Sequence, residues 1–197
     1  MRFNRLLFWF FYRFRTPPWE GHPLPKRLND LIEGPSPLRC GKALDVGCGT
    51  GDTAIYLAQQ GWEVTAFDLV RVALDKARAK AAAAGVSIRF FQADVTIVRA
   101  AEVGTGFRLI VDNGLLHGLT DDGRHRYARV VSAAAAANAT LLIAAFTEKK
   151  RRGPRGIDGT EVERRFAADW ALVGHSQDPA MSRRPDDPIY IHELRRR

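Results

Sequence analysis

The 197-residue sequence predicts a single α/β domain: a mostly parallel, seven-stranded sheet with helices on both faces and an antiparallel C-terminal strand. Three observations carry this reading. Short apolar runs of strand length alternate with runs of helical period, which calls for right-handed crossovers and a covered parallel sheet. Hydrophobic residues make up 46% of the chain, enough to fill one core. A glycine loop follows the first apolar run, at the sheet edge where open α/β folds bind ligands.

The chain opens with "MRFNRLLFWFFYRFR", whose apolar run from Leu6 to Tyr12 is flanked by arginines and falls short of the about 20 residues that span a bilayer. No small-residue cleavage site follows, which argues against a signal peptide. As a helix it gathers Phe3, Leu6, Leu7, Phe10 and Phe14 on one face, with Phe8, Trp9 and Tyr12 spilling around it. Two readings stand: a cap folded over the domain, which the density of aromatics favours, or an amphipathic anchor giving peripheral membrane contact through residues 1–15. The proline-rich stretch Thr16 to Pro25 leads into a short helix, Lys26 to Glu33, stopped by Gly34 and Pro35. Residues 1–39 thus read as a cap or lid segment and residues 40–197 as the α/β domain.

The alternation then begins. Strand "KALDVG" precedes helix "GDTAIYLAQQG", strand "EVTAFD" precedes helix "RVALDKARAKAAAAG", and strand "IRFFQAD" leads through a short connection to strand "FRLIVDN". Helix "DDGRHRYARVVSAAAAA", strand "TLLIAAFT" and helix "TEVERRFAADW" follow. Strands "ALVGH" and "IYIHELR" close the chain with no helix between them, so the sheet turns antiparallel there. The alanine runs at 81–84 and 133–137 read as helix.

The net charge of +8 is unevenly placed: residues 1–40 carry seven Lys/Arg against three acids, 41–148 eleven against eleven, and 149–197 twelve against eight. Neutral fold and basic ends leave a nucleic-acid partner as an alternative, although solvated termini explain the same pattern. The run "EKKRRGPRG" after the fifth strand is either a solvated loop or an attractor for anionic substrates. Cys40 and Cys48 lack zinc-site spacing, and a disulfide through the glycine loop would stiffen backbone that must wrap a ligand, so a reducing cytoplasm is expected. His125, His175 and His192 show no ligand-like spacing, and no metal site is expected.

The chemistry lies in "ALDVGCGTG". Gly47, Gly49 and Gly51 follow G-x-G-x-G, unlike the G-x-G-x-x-G of dinucleotide loops, and Asp45 places a carboxylate where a pyrophosphate would be repelled. The ligand should carry positive charge. Four strands end in an acid: Asp45, Asp68, Asp94 and Asp112. Asp68, about twenty residues past the loop, is placed to accept ribose hydroxyls. Asp94 can accept an adenine amine while Val95 offers its backbone N–H. Asp45 remains for a cationic group. Adenosine joined to a positively charged amino-acid tail describes S-adenosylmethionine, so cofactor contacts are expected from Asp45, Gly47, Cys48, Gly49, Gly51, Asp68, Leu69, Asp94, Val95, Asp112 and Asn113.

"ALDVGCGTGDTAIYLAQQGWEVTAFD", "FFQADVT" and "FRLIVDNGLLHGL" resemble the ordered motifs of class I S-adenosylmethionine-dependent methyltransferases, over roughly residues 40–148. "TPPWEGHPLP" and "AAFT...RGIDGTEVERRF" look like the small bacterial enzymes related to the thiopurine, tellurite-resistance and heterocyclic-toxin methyltransferases. Those relatives often show Trp-Asp-x-Gly-Arg-Pro, where this chain has Trp19, Glu20, Gly21, His22, Pro23. The resemblance implies a Rossmann-like fold and in-line attack of an acceptor heteroatom on the sulfonium methyl, with a small-molecule acceptor, which needs alignment and desolvation more than acid–base groups. A hydroxyl acceptor would want a base, for which His117 is the candidate against a purely structural role. Asn113 would orient substrate or cofactor, and Tyr12, Trp19 and His22 would wall the site from the N-terminal segment. Nucleic-acid amino-methylating enzymes usually place Asn/Asp-Pro-Pro-aromatic after the fourth strand, where this chain has "DNGLLH". A non-catalytic membrane-surface adaptor would leave the four strand-end acids unexplained.

Overall fold

The structure is a computed structural model in which residues 5–14, 17, 19–147, 155–182 and 188–197 are described. Chain order runs α1 (Arg5–Phe14), α2 (Lys26–Glu33), β1 (Lys42–Val46), α3 (Asp52–Gln59), β2 (Glu63–Asp68), α4 (Arg71–Ala83) and β3 (Arg89–Gln92). It continues through α5 (Ala100–Val103), β4 (Phe107–Asn113), a 3-10 turn (Leu116–Gly118), α6 (Asp121–Ala134), β5 (Ala135–Phe146), α7 (Gly159–Phe166), β6 (Trp170–Gln177) and β7 (Ile189–Arg196). The seven strands form one sheet in the order β3-β2-β1-β4-β5-β7-β6. β7 pairs antiparallel with both its neighbours, and the remaining pairs are parallel. The expected mostly parallel sheet with an antiparallel C-terminal strand is therefore present.

The pleat divides the core into two layers. Leu44, Ile110, Leu141 and Leu194 face one side, under Val103 of α5, Tyr127 and Val131 of α6, and Val162 and Phe166 of α7. Ala43, Leu109, Val111, Leu142 and Ile191 face the other, under Leu28 and Leu31 of α2 and Ala54 and Leu57 of α3. Although α2 belongs to the segment the sequence reads as a lid, its two leucines are part of this core.

Three boundaries depart from the sequence expectation, two through tertiary contacts and one through a local turn. The alanine run 133–137, expected to be helical throughout, is cut at Ala134: Ala135 pairs with Phe107 of β4, and the ladder resumes at Thr140 after Asn138 adopts a positive φ of 57°. Helix preferences worth under about 1 kcal/mol per residue lose to strand pairing here. α7 ends at Phe166 instead of Trp170, which opens β6 with its indole Nε1 donating to Ser132 Oγ at 2.8 Å inside the core. β3 stops at Gln92, and the chain turns where Asp94 Oδ1 accepts from Thr96 N and Oγ1 at 2.8 and 2.7 Å. The connection after it contains α5, whose four residues are too few for a periodic signal.

Arg124 of α6, only 2% exposed, holds the carboxyl side of the sheet together. It donates to Glu161 Oε1 of α7 at 2.8 Å, to the carbonyl of His117 at 3.0 Å and to the carbonyl of Gly156. The loop after β4 is thereby fixed to two helices.

Candidate active site

The glycine loop leaves β1 at Val46 and closes on itself. Gly47 N and Cys48 N both donate to Phe67 O at 2.9 and 3.0 Å, Gly49 N donates to Asp68 Oδ2 at 2.9 Å, and Gly51 N donates to Cys48 O at 2.9 Å. A phosphate-cradling loop points such N–H groups at its ligand. Here all four are already satisfied, so the loop offers shape and close approach instead of an anion seat. Gly49 (φ 54°) shows why no side chain fits: a Cβ there would lie 2.9 Å from the Tyr12 hydroxyl. At Gly51 (φ 87°), which starts α3, a Cβ would lie 3.0 Å from Ala77 Cβ of α4.

Three carboxylates gather beneath this loop. Asp45 on β1 is 1% exposed, and its Oδ2 has no hydrogen-bond partner among the described residues. Burial, with the charges of Asp112 and Asp68 adding to it, pushes the Asp45 carboxyl up to about 8. Asp68 closes β2 with Oδ2 on Gly49 N and Oδ1 on Val70 N at 2.8 Å; burial raises it, and those backbone donors work against the rise. Asp112 on β4 is fully buried and spends its oxygens on the following turn, accepting from Gly114 N, Leu115 N and Leu116 N at 3.0, 2.6 and 3.0 Å. Burial raises it to about 6. The Cys48 thiol is pushed well above its ordinary range by burial and by Asp45 and Asp68.

The N-terminal segment lies against the same loop. Tyr12 is 4% exposed and packs with Val70 and Ala73 at the start of α4, with Leu69 alongside. Its hydroxyl accepts from Trp19 Nε1 at 2.8 Å, and its ionisation is pushed up by burial and by Asp68. Trp19 meets Phe8 and Phe11 edge-on at centroid distances of 5.2 and 5.4 Å. Glu20 accepts from the Thr50 hydroxyl, and Thr50 also accepts from Lys80 Nζ at 3.1 Å, while Lys80 pairs with Asp52. His22 is half-buried just after the turn at 19–21. Sequence reasoning missed Glu20, Thr50 and Lys80. Thr50 stood in plain view inside the loop, but Glu20 and Lys80 are each thirty positions from it and carry no local signal.

On the other side of the loop, Asp94 and Val95 follow β3, with Val95 buried in the core. Asn113 is exposed at the end of β4. His117 is buried in the 3-10 turn, its ring 5.1 Å from Phe146, and its Nδ1 accepts from Phe146 N at 3.3 Å. That bond assigns the proton of a neutral imidazole to Nε2. Residues 148–154 of the basic run lie outside the described residues; Arg155 beyond them pairs with Asp121 at 2.9 Å. Among the described residues no three His, Cys, Asp or Glu side chains are grouped to hold a metal, and no helix is long and apolar enough to cross a membrane.

Residues 43–137 match the family model described as a methyltransferase domain. The chain is 32% identical over 145 residues to the 2-heptyl-1-hydroxyquinolin-4(1H)-one methyltransferase of Mycobacteroides abscessus, covering 73% of this chain and 61% of that protein. The chain thus spans about three fifths of that relative's length. Among solved structures it is similar to one described for the conversion of a disulfide bond into a thioacetal group during echinomycin biosynthesis (TM-score 0.80, 25% identity, 98% of this chain and 92% of that one). It also shares its fold with the 1,6-didemethyltoxoflavin-N1-methyltransferase of Burkholderia thailandensis (TM-score 0.67, 24% identity, 80% and 72% covered).

The raised carboxyls fix the sign of a pH effect. A folded-state value near 8 for Asp45 lies far above the unfolded value near 3.8, so the native state holds a proton the unfolded chain has lost. The associated stability is complete below about pH 4 and drains away as pH rises toward 8, at up to about 1.4 kcal/mol per pH unit. In urea titrations of ligand-free protein, wild type should lose stability between pH 5 and 8 relative to Asp45→Asn, and parallel curves for the two proteins would show that Asp45 is ionised in the folded state.

Proposed function

We propose that this chain, whose residues 43–137 match a methyltransferase-domain model, transfers the methyl group of S-adenosylmethionine to an oxygen, nitrogen or sulfur atom of a small-molecule acceptor. The observation that carries the binding half of this reading is the unpartnered, buried Asp45 Oδ2 under a glycine loop whose N–H groups at 47, 48, 49 and 51 are spent. Such a site disfavours phosphate and favours a cation. S-adenosylmethionine supplies an electrophilic sulfonium methyl when bound.

The residues divide the work by their geometry. Asp45 faces the positively charged amino-acid end. Asp68 accepts the ribose hydroxyls, each of its oxygens keeping a second lone pair beyond the Gly49 and Val70 bonds. Asp94 and the backbone of Val95 hold adenine, with Leu69 packing beside them, and Gly47, Cys48, Gly49 and Gly51 let the chain approach closely. Asp112 is a positioning residue: it holds the 114–116 turn that leads to His117. Tyr12, Trp19 and His22 wall the site from the N-terminal side. Asn113, exposed at the strand end, orients the acceptor. Rate enhancement then comes from alignment and exclusion of water. The relatives named above act on a hydroxyquinolinone and on didemethyltoxoflavin, which supports a small-molecule acceptor.

Calorimetry tests the site. S-adenosylhomocysteine should bind in the micromolar range and NAD should not, and Asp68→Ala should weaken the former about 10- to 100-fold, the worth of about 1.5–3 kcal/mol for a charge-assisted hydrogen bond. NAD binding of equal strength, or an unchanged Asp68→Ala affinity, would overturn the assignment.

His117 is held as an acceptor for Phe146 N–H, so the nitrogen that would take a proton is already engaged. On the acceptor identified with methyl-labelled cofactor and cell extract, His117→Ala should lower kcat less than about tenfold and leave the pH–rate profile unchanged in shape, whereas a general base contributes about 10²–10⁴. A limb near the ordinary histidine value of about 6.5 that vanishes in the variant would make His117 the base instead.

A further inference from the structure

α1 is amphipathic in burial but not in polarity. At 3.6 residues per turn, Phe8 and Tyr12 share the face turned toward α4 and the glycine loop, while Trp9, Phe10, Arg13 and Phe14 share the opposite face. That outer face is solvent-exposed: Trp9 by 43%, Phe10 by 45% and Phe14 by 59%. The three rings touch, with Trp9 to Phe14 at 5.6 Å and Phe10 to Phe14 at 5.4 Å, and the Arg13 guanidinium lies 5.2 Å over Phe14. A helix with aromatics on its outer face is normally covered, and a contiguous exposed patch of this kind marks an interaction surface.

Charge decides what covers it. α1 contains Arg5 and Arg13 and no acid, and residues 1–40 hold seven Lys/Arg against three acids. A second copy docking through the same face would bring like charges together. An anionic lipid surface complements the charge, and its headgroup boundary accommodates a ring set interleaved with arginine, whose apolar stem lies along the rings while its head stays in the polar layer. We propose that the outer face of α1 docks this protein on anionic bilayers, while Tyr12 on the inner face stays against the glycine loop. The consequence is that the ligand-binding edge is carried to the membrane surface. This holds whether or not the methyl-transfer reading does.

Co-sedimentation tests it with the full chain and vesicles of phosphatidylglycerol and phosphatidylcholine in equal parts, against phosphatidylcholine alone. Wild type should bind the anionic vesicles, lose binding on neutral ones, and weaken as salt is raised. Arg13→Gln should lower the partition coefficient about fivefold. The triple change Trp9→Ser, Phe10→Ser, Phe14→Ser should lower it at least about tenfold, with an unchanged melting curve to show that the inner face still packs. Equal binding by the triple variant, or no binding by wild type, would overturn the proposal. A wild-type dimer in light scattering that the triple variant abolishes, without vesicle binding, would assign the face to a second copy instead.

Discussion

A carboxyl buried without a full set of partners is the constraint around which this molecule is organised. Asp45 sits in the middle of the sheet, between β2 and β4, where removing its charge from water costs several kcal/mol. Two more carboxyls, Asp68 and Asp112, stand near enough to raise its proton affinity further. Hydrophobic packing alone would place an aliphatic residue there, as it does at Ala43 and Leu44 beside it. Burial and the neighbouring acids raise the carboxyl's proton affinity, and the surrounding elements preserve that arrangement. The glycine loop closes over it with the N–H groups of residues 47, 48, 49 and 51 committed elsewhere.

The neighbouring acids differ in what they do because their partners differ. Asp112 has its oxygens engaged by three consecutive backbone donors and so defines the turn after β4. Asp68 engages one donor from the loop and one from the start of α4, joining the two elements that flank the site while retaining capacity for more. The N-terminal segment adds a further enclosure: Glu20 reaches the Thr50 hydroxyl, and Tyr12 fills the space that a side chain at position 49 would occupy. Access to the loop is therefore shaped from α1 and the turn after it as well as from the sheet edge.

Much of this was legible in the sequence because it is written locally. Short apolar runs alternating with runs of helical period gave the seven strands, and the absence of a helix between the last two gave the antiparallel end. The glycine spacing together with Asp45 gave the polarity of the ligand. What escaped was decided by contacts distant in sequence. Ala135 to Ala137 have every local reason to be helical and are extended because Phe107 offers a pairing edge. Trp170 belongs to β6 because Ser132, thirty-eight positions away, receives its indole N–H. Asp112 stood with the other strand-end acids, and the backbone donors of the turn after it, Gly114, Leu115 and Leu116, had no separate signal. The Glu20–Thr50–Lys80 contact has no sequence signature, since each pair is a tertiary meeting of ordinary polar residues.

The central claim, that Asp45 waits protonated for a cationic ligand, has a direct thermodynamic signature. An opposite charge within about 4–6 Å lowers a carboxyl's proton affinity by about 1–3 pH units, so a group poised near 8 should ionise on binding at neutral pH. The measurement is the heat of S-adenosylhomocysteine binding at pH 7 in two buffers of different ionisation enthalpy. The account predicts a buffer-dependent heat corresponding to release of about half to one proton, absent in Asp45→Asn. A heat independent of buffer in the wild-type protein would contradict it.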